Sequence, residues 1–381
     1  MEHMLERKST SYIKTNCSTV IPSLFLVIYM FVDFIKFFNV VPPLVGNILY
    51  VLLGSLAIGY STIKKGIGRQ IPILSFIFFY IFFGAIGLLF NGNMDPQELL
   101  WPFAFMGLAI LLLNFDINYK LVKALYYFSI FFIALRIIVA GGISSLDTAS
   151  SRNTIGIMVL IYFSLYVIAS YVNKKKITIF PVLFGLLITI IAIGRSGILT
   201  FVLLTMLFII FEFKGNKHKI RNPLKWIFVI LFGGILFLIF YSFLDTYFVE
   251  TINNFKSRGL ESVRIGIWSD YFNKTFTSAQ FLLLGTPISG TYWLDMFTDN
   301  LHNSFFMLHA KYGLIVFLVI ILLIIKSSWY FFKMKNYLYL VVLVAVVFRM
   351  QFDYTNFNSQ LDIILFYLLF YQYFEKYKRL Y

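Results

Sequence analysis

One cysteine, Cys17, in a chain of 381 residues excludes an internal disulfide framework. Charge is nearly as scarce: Asp, Glu, Lys and Arg make up 13% of the chain, against roughly a quarter in a soluble domain. Acids are the rarer sign, 17 against 32 bases, and there are only four histidines. There is no HExxH, no GxSxG, no Walker loop and no Cys/His set at metal-ligand spacing, so neither metal nor nucleotide cofactor is expected. Repeats and low-complexity tracts are also missing. The polar N-terminus, about 18 residues, runs into an apolar stretch that reads as a retained span rather than a cleaved signal peptide.

What fills the chain is apolar: 60% hydrophobic and 20% aromatic residues, with mean hydropathy +0.84. Long uncharged runs recur throughout, which predicts a polytopic membrane protein. Runs of sufficient length lie near 20–38, 43–62, 71–90, 99–115, 120–140 and 154–172. Six more lie near 177–193, 196–213, 226–244, 304–325, 336–349 and 358–374. The expectation is an all-α bundle of about twelve transmembrane helices, one integral membrane domain over 1–381.

Charge placement orients that bundle. Arg7, Lys8 and Lys14 precede the first span, and basic residues follow every even-numbered one: Lys64 and Lys65, Lys120 and Lys123, Lys174 to Lys176, Lys214 and Lys217, Lys333 and Lys335, Lys376 and Lys378. Positive residues collect on the cytoplasmic side, so both termini are expected there. The net charge of +15 is thereby read as topology, and nucleic acid is not an expected partner. The outer loops are short except for residues 245–303, rich in Asn, Thr, Ser and aromatics, the one candidate for a folded extramembrane element with short helices.

The cytoplasmic loops use lysine heavily, whereas the outer side and the outer halves of the spans hold six arginines: Arg136, Arg152, Arg195, Arg258, Arg264 and Arg349. Arginine offers a planar fork that grips phosphate bidentately and tolerates low dielectric. These residues either pair with outer acids such as Asp147, Glu261, Asp295 and Asp353 or converge on an anionic substrate. Arg195 lies in Gly194-Arg195-Ser196-Gly197, between two apolar helices. The glycines permit a sharp turn, and Ser196 can cap the next helix, whose first amides attract anions. Glu261, Arg264 and Trp268 share a helix face by spacing, so Trp268 is expected to stack beside the guanidinium. In Asn300–Gly313, Asn303 or Ser304 caps the tenth helix and His302 sits at its start. The positive helix end favours a neutral imidazole able to accept a proton from a hydroxyl, and His309 is expected two turns deeper on the same face.

Together these segments resemble the O-antigen polymerase and O-antigen ligase superfamily. The Gly194–Gly197 turn is similar to its Ser-Arg-Ser/Gly element, Arg264 with Trp268 and Leu284-Gly285 to its Arg-x-x-x-Trp…Leu-Gly segment, and His302-Asn303-Ser304 with Tyr312-Gly313 to its His-Asn-Ser…Gly segment. The likeness covers roughly 180–325, and Gly194 departs from the serine common there. The resemblance implies a metal-independent glycosyltransferase of the bacterial inner membrane, acting on the outer leaflet. Its donor would be an undecaprenyl-pyrophosphate-linked oligosaccharide and its acceptor a sugar hydroxyl. Arg195 and Arg264 would hold the diphosphate and His302 would take the acceptor proton, as catalytic residues. Ser196, Trp268, Asn303, Arg258, Tyr292 and Trp293 would contact substrate, the last two by stacking on sugar. Membrane lipid, a chain-length regulator and a flippase of the same pathway are the other implied partners. The short chain, compact loops and Phe/Ile/Lys bias favour a polymerase, which extends a second lipid-linked repeat unit in O-antigen, capsule or exopolysaccharide synthesis. The alternatives are a ligase acting on lipid A–core or another terminal acceptor and, in a different class, a polysaccharide-lipid flippase.

Overall fold

A computed structural model describes residues 2–91, 97–140, 152–215, 249, 252–253, 264–296, 300–357 and 359–380. Among these residues the longer elements are all helices. The first eight are α1 (Glu2–Phe37), α2 (Pro43–Lys65), α3 (Ile67–Phe90), α4 (Gln97–Asn114), α5 (Tyr119–Val139), α6 (Arg152–Val172), α7 (Phe180–Ile191) and α8 (Arg195–Gly215). Then follow α9 (Arg264–Thr275), α10 (Ala279–Leu284), α11 (Tyr292–Met296), α12 (Ser304–Lys333), α13 (Tyr337–Met350) and α14 (Asp362–Leu380). Apolar runs of this length become helices in lipid because only a helix satisfies its own backbone polar groups there. Their starts are marked in sequence: Pro43 opens α2, and Asn118 caps α5 by accepting from the amides of Lys120 and Leu121 at 3.0 and 3.3 Å.

Among the described residues seven helices are long and apolar enough to cross a membrane: Thr19–Phe37 of α1, α2 through α6, and α12. Every expected span except the ninth coincides with a helix, and that one, 226–244, lies outside the described residues. A helix is not a span, however. α7 has 12 residues and α13 has 14, about 18 and 21 Å at 1.5 Å per residue, short of a hydrocarbon core of about 30 Å. α12 errs the other way, with 30 residues. Gly313 leaves helical geometry (φ 79°, ψ 176°) and splits it, so that 314–333 alone suits a crossing and 304–312 forms a separate arm.

α6 and α4 are the centre of the bundle. The apolar window of α6 is 83% buried and that of α4 72%, against 33% in α5, which leaves α5 on the periphery. Small residues set the closest crossings. A Cβ added at Gly54 of α2 would stand 2.4 Å from the Ala104 carbonyl oxygen of α4, and one at Gly107 of α4 2.4 Å from the Gly54 carbonyl oxygen. A second, smaller core of Ile267, Tyr271, Leu294, Leu301, Met307 and Ala310 ties α9 and α11 to the first turns of α12.

The α12 arm is also held by charge. Lys311 Nζ lies 2.6 Å from Glu98 Oε1 at the start of α4, with both side chains under 10% exposed, and the Tyr312 hydroxyl donates to the Glu98 carbonyl at 2.7 Å. Breaking such a pair leaves a buried charge alone, which costs about 3–5 kcal/mol, whereas replacing both members is far milder. Glu98→Gln is therefore expected to lower the thermal midpoint in detergent sharply, and Glu98→Leu combined with Lys311→Met to recover most of the loss.

The two ends of the bundle differ in chemistry. α6, α8 and α14 run toward the lysine-rich segments, and α13 starts just after Lys333 and Lys335. The first residues of α6, α8 and α12 and the last of α13 lie at the other end.

Candidate functional site

At that lysine-poor end a cleft of about 30 Å³ opens where α6, α8 and α9 begin, lined by Asn153, Arg195, Ser196, Leu199, Arg264 and Phe352. It has room for about one water, so a larger anion would sit at its mouth.

Arg195 is brought there by the α7–α8 reversal. The amides of Ile193 and Gly194 donate back to the carbonyls of Ile190 and Thr189 at 2.8 and 3.3 Å. The left-handed residue of the turn is Ile193 (φ 54°), not a glycine. A β-branched side chain is disfavoured there, so the surrounding packing imposes the turn. Gly197 serves packing instead: a Cβ added at Gly156 of α6 would lie 3.0 Å from its Cα. Ser196 is inside the first turn and does not cap it; its hydroxyl donates to Asn153 Oδ1 at 3.3 Å.

Arg264 is the first residue of α9, which Ile267 and Tyr271 anchor in the smaller core. Burial pushes its guanidinium below the ordinary range; Asp353 nearby pulls it up and Arg195 pushes it down again. The two arginines therefore repel one another across the cleft, and an anion between them relieves both.

His302 stands just before α12 in left-handed backbone (φ 52°), and its amide donates to Asn300 Oδ1 at 2.8 Å. Its Nδ1 is 3.5 Å from Asp353 Oδ1. The other carboxylate oxygen of Asp353 is 3.8 Å from Arg349 Nη2 and accepts from Asn153 Nδ2 at 3.4 Å. Arg349 is fully buried; it donates to the Asn153 carbonyl at 3.4 Å, and its Nε and Nη1 have no hydrogen-bond partner. Asp353 is thus the hub joining the imidazole to the cationic cleft. A carboxylate at Nδ1 fixes the tautomer with its proton on that nitrogen, which makes Nε2 the basic one.

Burial alone would raise the Asp353 carboxyl, but the His302 hydrogen bond and the Arg349 charge outweigh it and bring it from 3.8 down to about 2. A depressed folded-state value stabilises the fold above the unfolded value of about 3.9 and stops doing so as pH falls through about 2. Asp353→Asn is expected to lower the thermal midpoint at pH 6 and to flatten its acid dependence between about pH 4 and pH 2. An unchanged acid limb would show that the carboxylate is not held this way.

Arg195, Ser196 and Arg264 therefore share one cleft, and His302 joins it through Asp353. Other expected positions do different work. Asn303 is buried; its Oδ1 accepts from the amides of Phe305 and Phe306 at 2.9 and 3.2 Å and its amide reaches Gln351 Oε1 at 3.3 Å, so it caps α12 rather than facing a substrate. Trp268 is not stacked on Arg264: its indole donates to the Leu301 carbonyl at 2.9 Å and its ring meets Phe306 edge-on. Trp293 packs on the Gly266 backbone, and Tyr292 is 68% exposed on a five-residue helix. His309 does not share a face with His302, which precedes the helix. Its Nε2 donates to the Leu282 carbonyl at 2.7 Å, so its Nδ1 accepts from the Tyr271 hydroxyl, and the ring is buried. Arg258, Arg152, Glu261 and Asp147 lie outside the described side chains.

The sequence reading treated Asp353 only as an ordinary partner for arginine, gave Arg349 no specific role and passed over Asn153. The available signal was Arg349 and Asp353 four residues apart at the end of an apolar run, where ionisable residues are rare and functional by default.

These features define an all-helical membrane protein with a cluster of arginines and, among the described residues, one carboxylate–imidazole pair at a single end of its bundle. No family model, no curated protein and no solved structure matches the chain.

Proposed function

We propose that the protein is a glycosyltransferase of bacterial surface-polysaccharide assembly, a polymerase in the inner membrane with both termini in the cytoplasm. It transfers an undecaprenyl-pyrophosphate-linked glycan to a sugar hydroxyl of a second lipid-linked repeat unit. The observation that carries this reading is the meeting of Arg195, Arg264 and the Asp353–His302 pair at the end of the bundle opposite the lysine-rich segments. Two guanidinium forks, Arg195 and Arg264, line the cleft, and a diphosphate esterified at both ends carries two negative charges that such forks grip bidentately.

The chemistry follows from those groups. The diphosphate lies across Arg195 and Arg264, whose forks stabilise the charge that grows as the C1–O bond breaks. The acceptor oxygen attacks C1 from the opposite face and gives its proton to His302 Nε2, so the anomeric centre inverts. Asp353 stabilises the imidazolium that forms. Undecaprenyl pyrophosphate leaves with the bonding electron pair, and the proton passes on to water.

Reconstitution with a synthetic undecaprenyl-pyrophosphate repeat unit tests the assignment. A ladder of products supports a polymerase, transfer only to an added core acceptor supports a ligase, and no new glycosidic bond contradicts both. A transporter is the second reading, and one feature favours it: Asp33, buried in the bundle, accepts from the hydroxyls of Tyr162 and Tyr50 at 2.6 and 3.0 Å. Buried carboxylates of this kind mark ion pathways in transporters.

A further inference from the structure

A polymerase must hold two lipid diphosphates at once, and the cleft of Arg195 and Arg264 accommodates one. The second needs an apolar seat in the same leaflet with a cation at its headgroup end. The groove between α1 and α5 has those features. Its volume is about 440 Å³, and of its lining residues only Ser129 and Arg136 are polar. It runs from Val27 on α1 to Phe38 just past its end and from Leu125 to Arg136 along α5, about 17 Å on each side at 1.5 Å per residue. One leaflet of a hydrocarbon core of about 30 Å is about 15 Å deep. The groove therefore matches one chain in one leaflet.

Arg136 closes one end of that groove, its guanidinium 5.1 Å over the Phe38 ring. That end is the site end of the bundle: α5 starts beside Lys120 and finishes before the segment leading to Asn153 of α6, which packs against it. The walls are aromatic, with Phe31 and Phe128 63% and 60% exposed along the rim. We propose that this groove seats the isoprenoid chain of the acceptor lipid, with Arg136 on its diphosphate. The inference rests on the polymerase reading above. It also gives a role to the arginine at the end of this peripheral helix: Arg136 marks where the second headgroup lies.

The test separates the groove from the reaction. Transfer is measured with the same lipid-linked donor and two acceptors, one lipid-linked and one a soluble oligosaccharide of the same sugars. Arg136→Ala is expected to raise the KM for the lipid-linked acceptor about tenfold, the value of one charge-assisted hydrogen bond, and Val27→Trp, which fills the groove, to raise it as well, while both leave the soluble acceptor unaffected. Equal loss on both acceptors, or loss on neither, overturns the proposal. A second measurement needs no turnover: equilibrium binding of undecaprenyl pyrophosphate to the purified protein. Two sites are expected, of which Arg136→Ala weakens one and Arg264→Ala the other. A single site indifferent to Arg136 contradicts the groove even if the protein polymerises, and two such sites without glycosyl transfer would overturn the enzyme reading alone.

Discussion

His302→Ala abolishes polymer formation while lipid-linked repeat units accumulate on the outer face of the membrane. That is the expected phenotype if His302 takes the acceptor proton. A positioned general base contributes about 10²–10⁴ in rate, so kcat falls by that factor while donor binding, which belongs to the arginines, changes little. The accumulation side is decisive between classes: a transporter deprived of an essential residue strands its lipid inside. His302→Gln keeps hydrogen bonding but cannot take a proton, so it is expected to be as defective as alanine. Recovery of activity with glutamine would make the ring a hydrogen-bonding group only. The measurement is radiolabelled repeat units sized on a gel, with a membrane-impermeant probe reporting their side.

Arg264→Ala is expected to lower kcat/KM about 10²–10³-fold, the usual effect of removing one preorganised donor from a site of developing charge. Arg264→Lys tests why arginine stands there. Lysine keeps the charge but loses the fork, so it restores only part of the rate if the guanidinium grips the diphosphate bidentately. Full restoration by lysine would reduce Arg264 to a point charge. Arg264 starts α9 and is half-buried, so the variants are compared at equal thermal stability. Loss of Arg264 also removes its repulsion with Arg195, which predicts no gain in stability large enough to mask the catalytic loss.

Much of the helical layout was legible because it depends on long apolar runs, and those survive any tertiary context. α2 and α5 follow the expected limits closely, since Pro43 and the Asn118 cap mark their starts on the sequence itself, whereas α3 begins four residues before its expected start at 71, with Pro72 inside it. Crossings were less legible. α7 is too short and α12 too long, and the break at Gly313 depends on close approach to the carbonyls of α10: a Cβ there would lie 2.6 Å from the Leu283 oxygen. No window of hydropathy reports such a contact.

The site shows the same division. Arg195, Arg264 and His302 were legible because scarce charged groups stood next to helix starts. Asp353 was visible only as a bland partner, because its role needs the end of α13 to fold back against His302, 51 positions earlier in the chain, a long-range fact. Trp268 illustrates the opposite error. Its spacing from Arg264 fits a shared face, but the indole turned toward the Leu301 carbonyl, where a buried N–H finds an acceptor and a ring finds Phe306. Helical spacing fixes which residues are neighbours on one helix and says nothing about what else competes for them.

The account depends on a lipid diphosphate lying between Arg195 and Arg264 with His302 on the far side of the sugar. A structure with a non-transferable undecaprenyl diphosphate sugar measures this directly. The prediction is phosphate oxygens within hydrogen-bond reach of both guanidiniums and His302 Nε2 facing the C1 side opposite the leaving oxygen. Diphosphate found instead at the lysine end, in the cavity of about 510 Å³ beside Lys174, Lys175 and Tyr371, would contradict it.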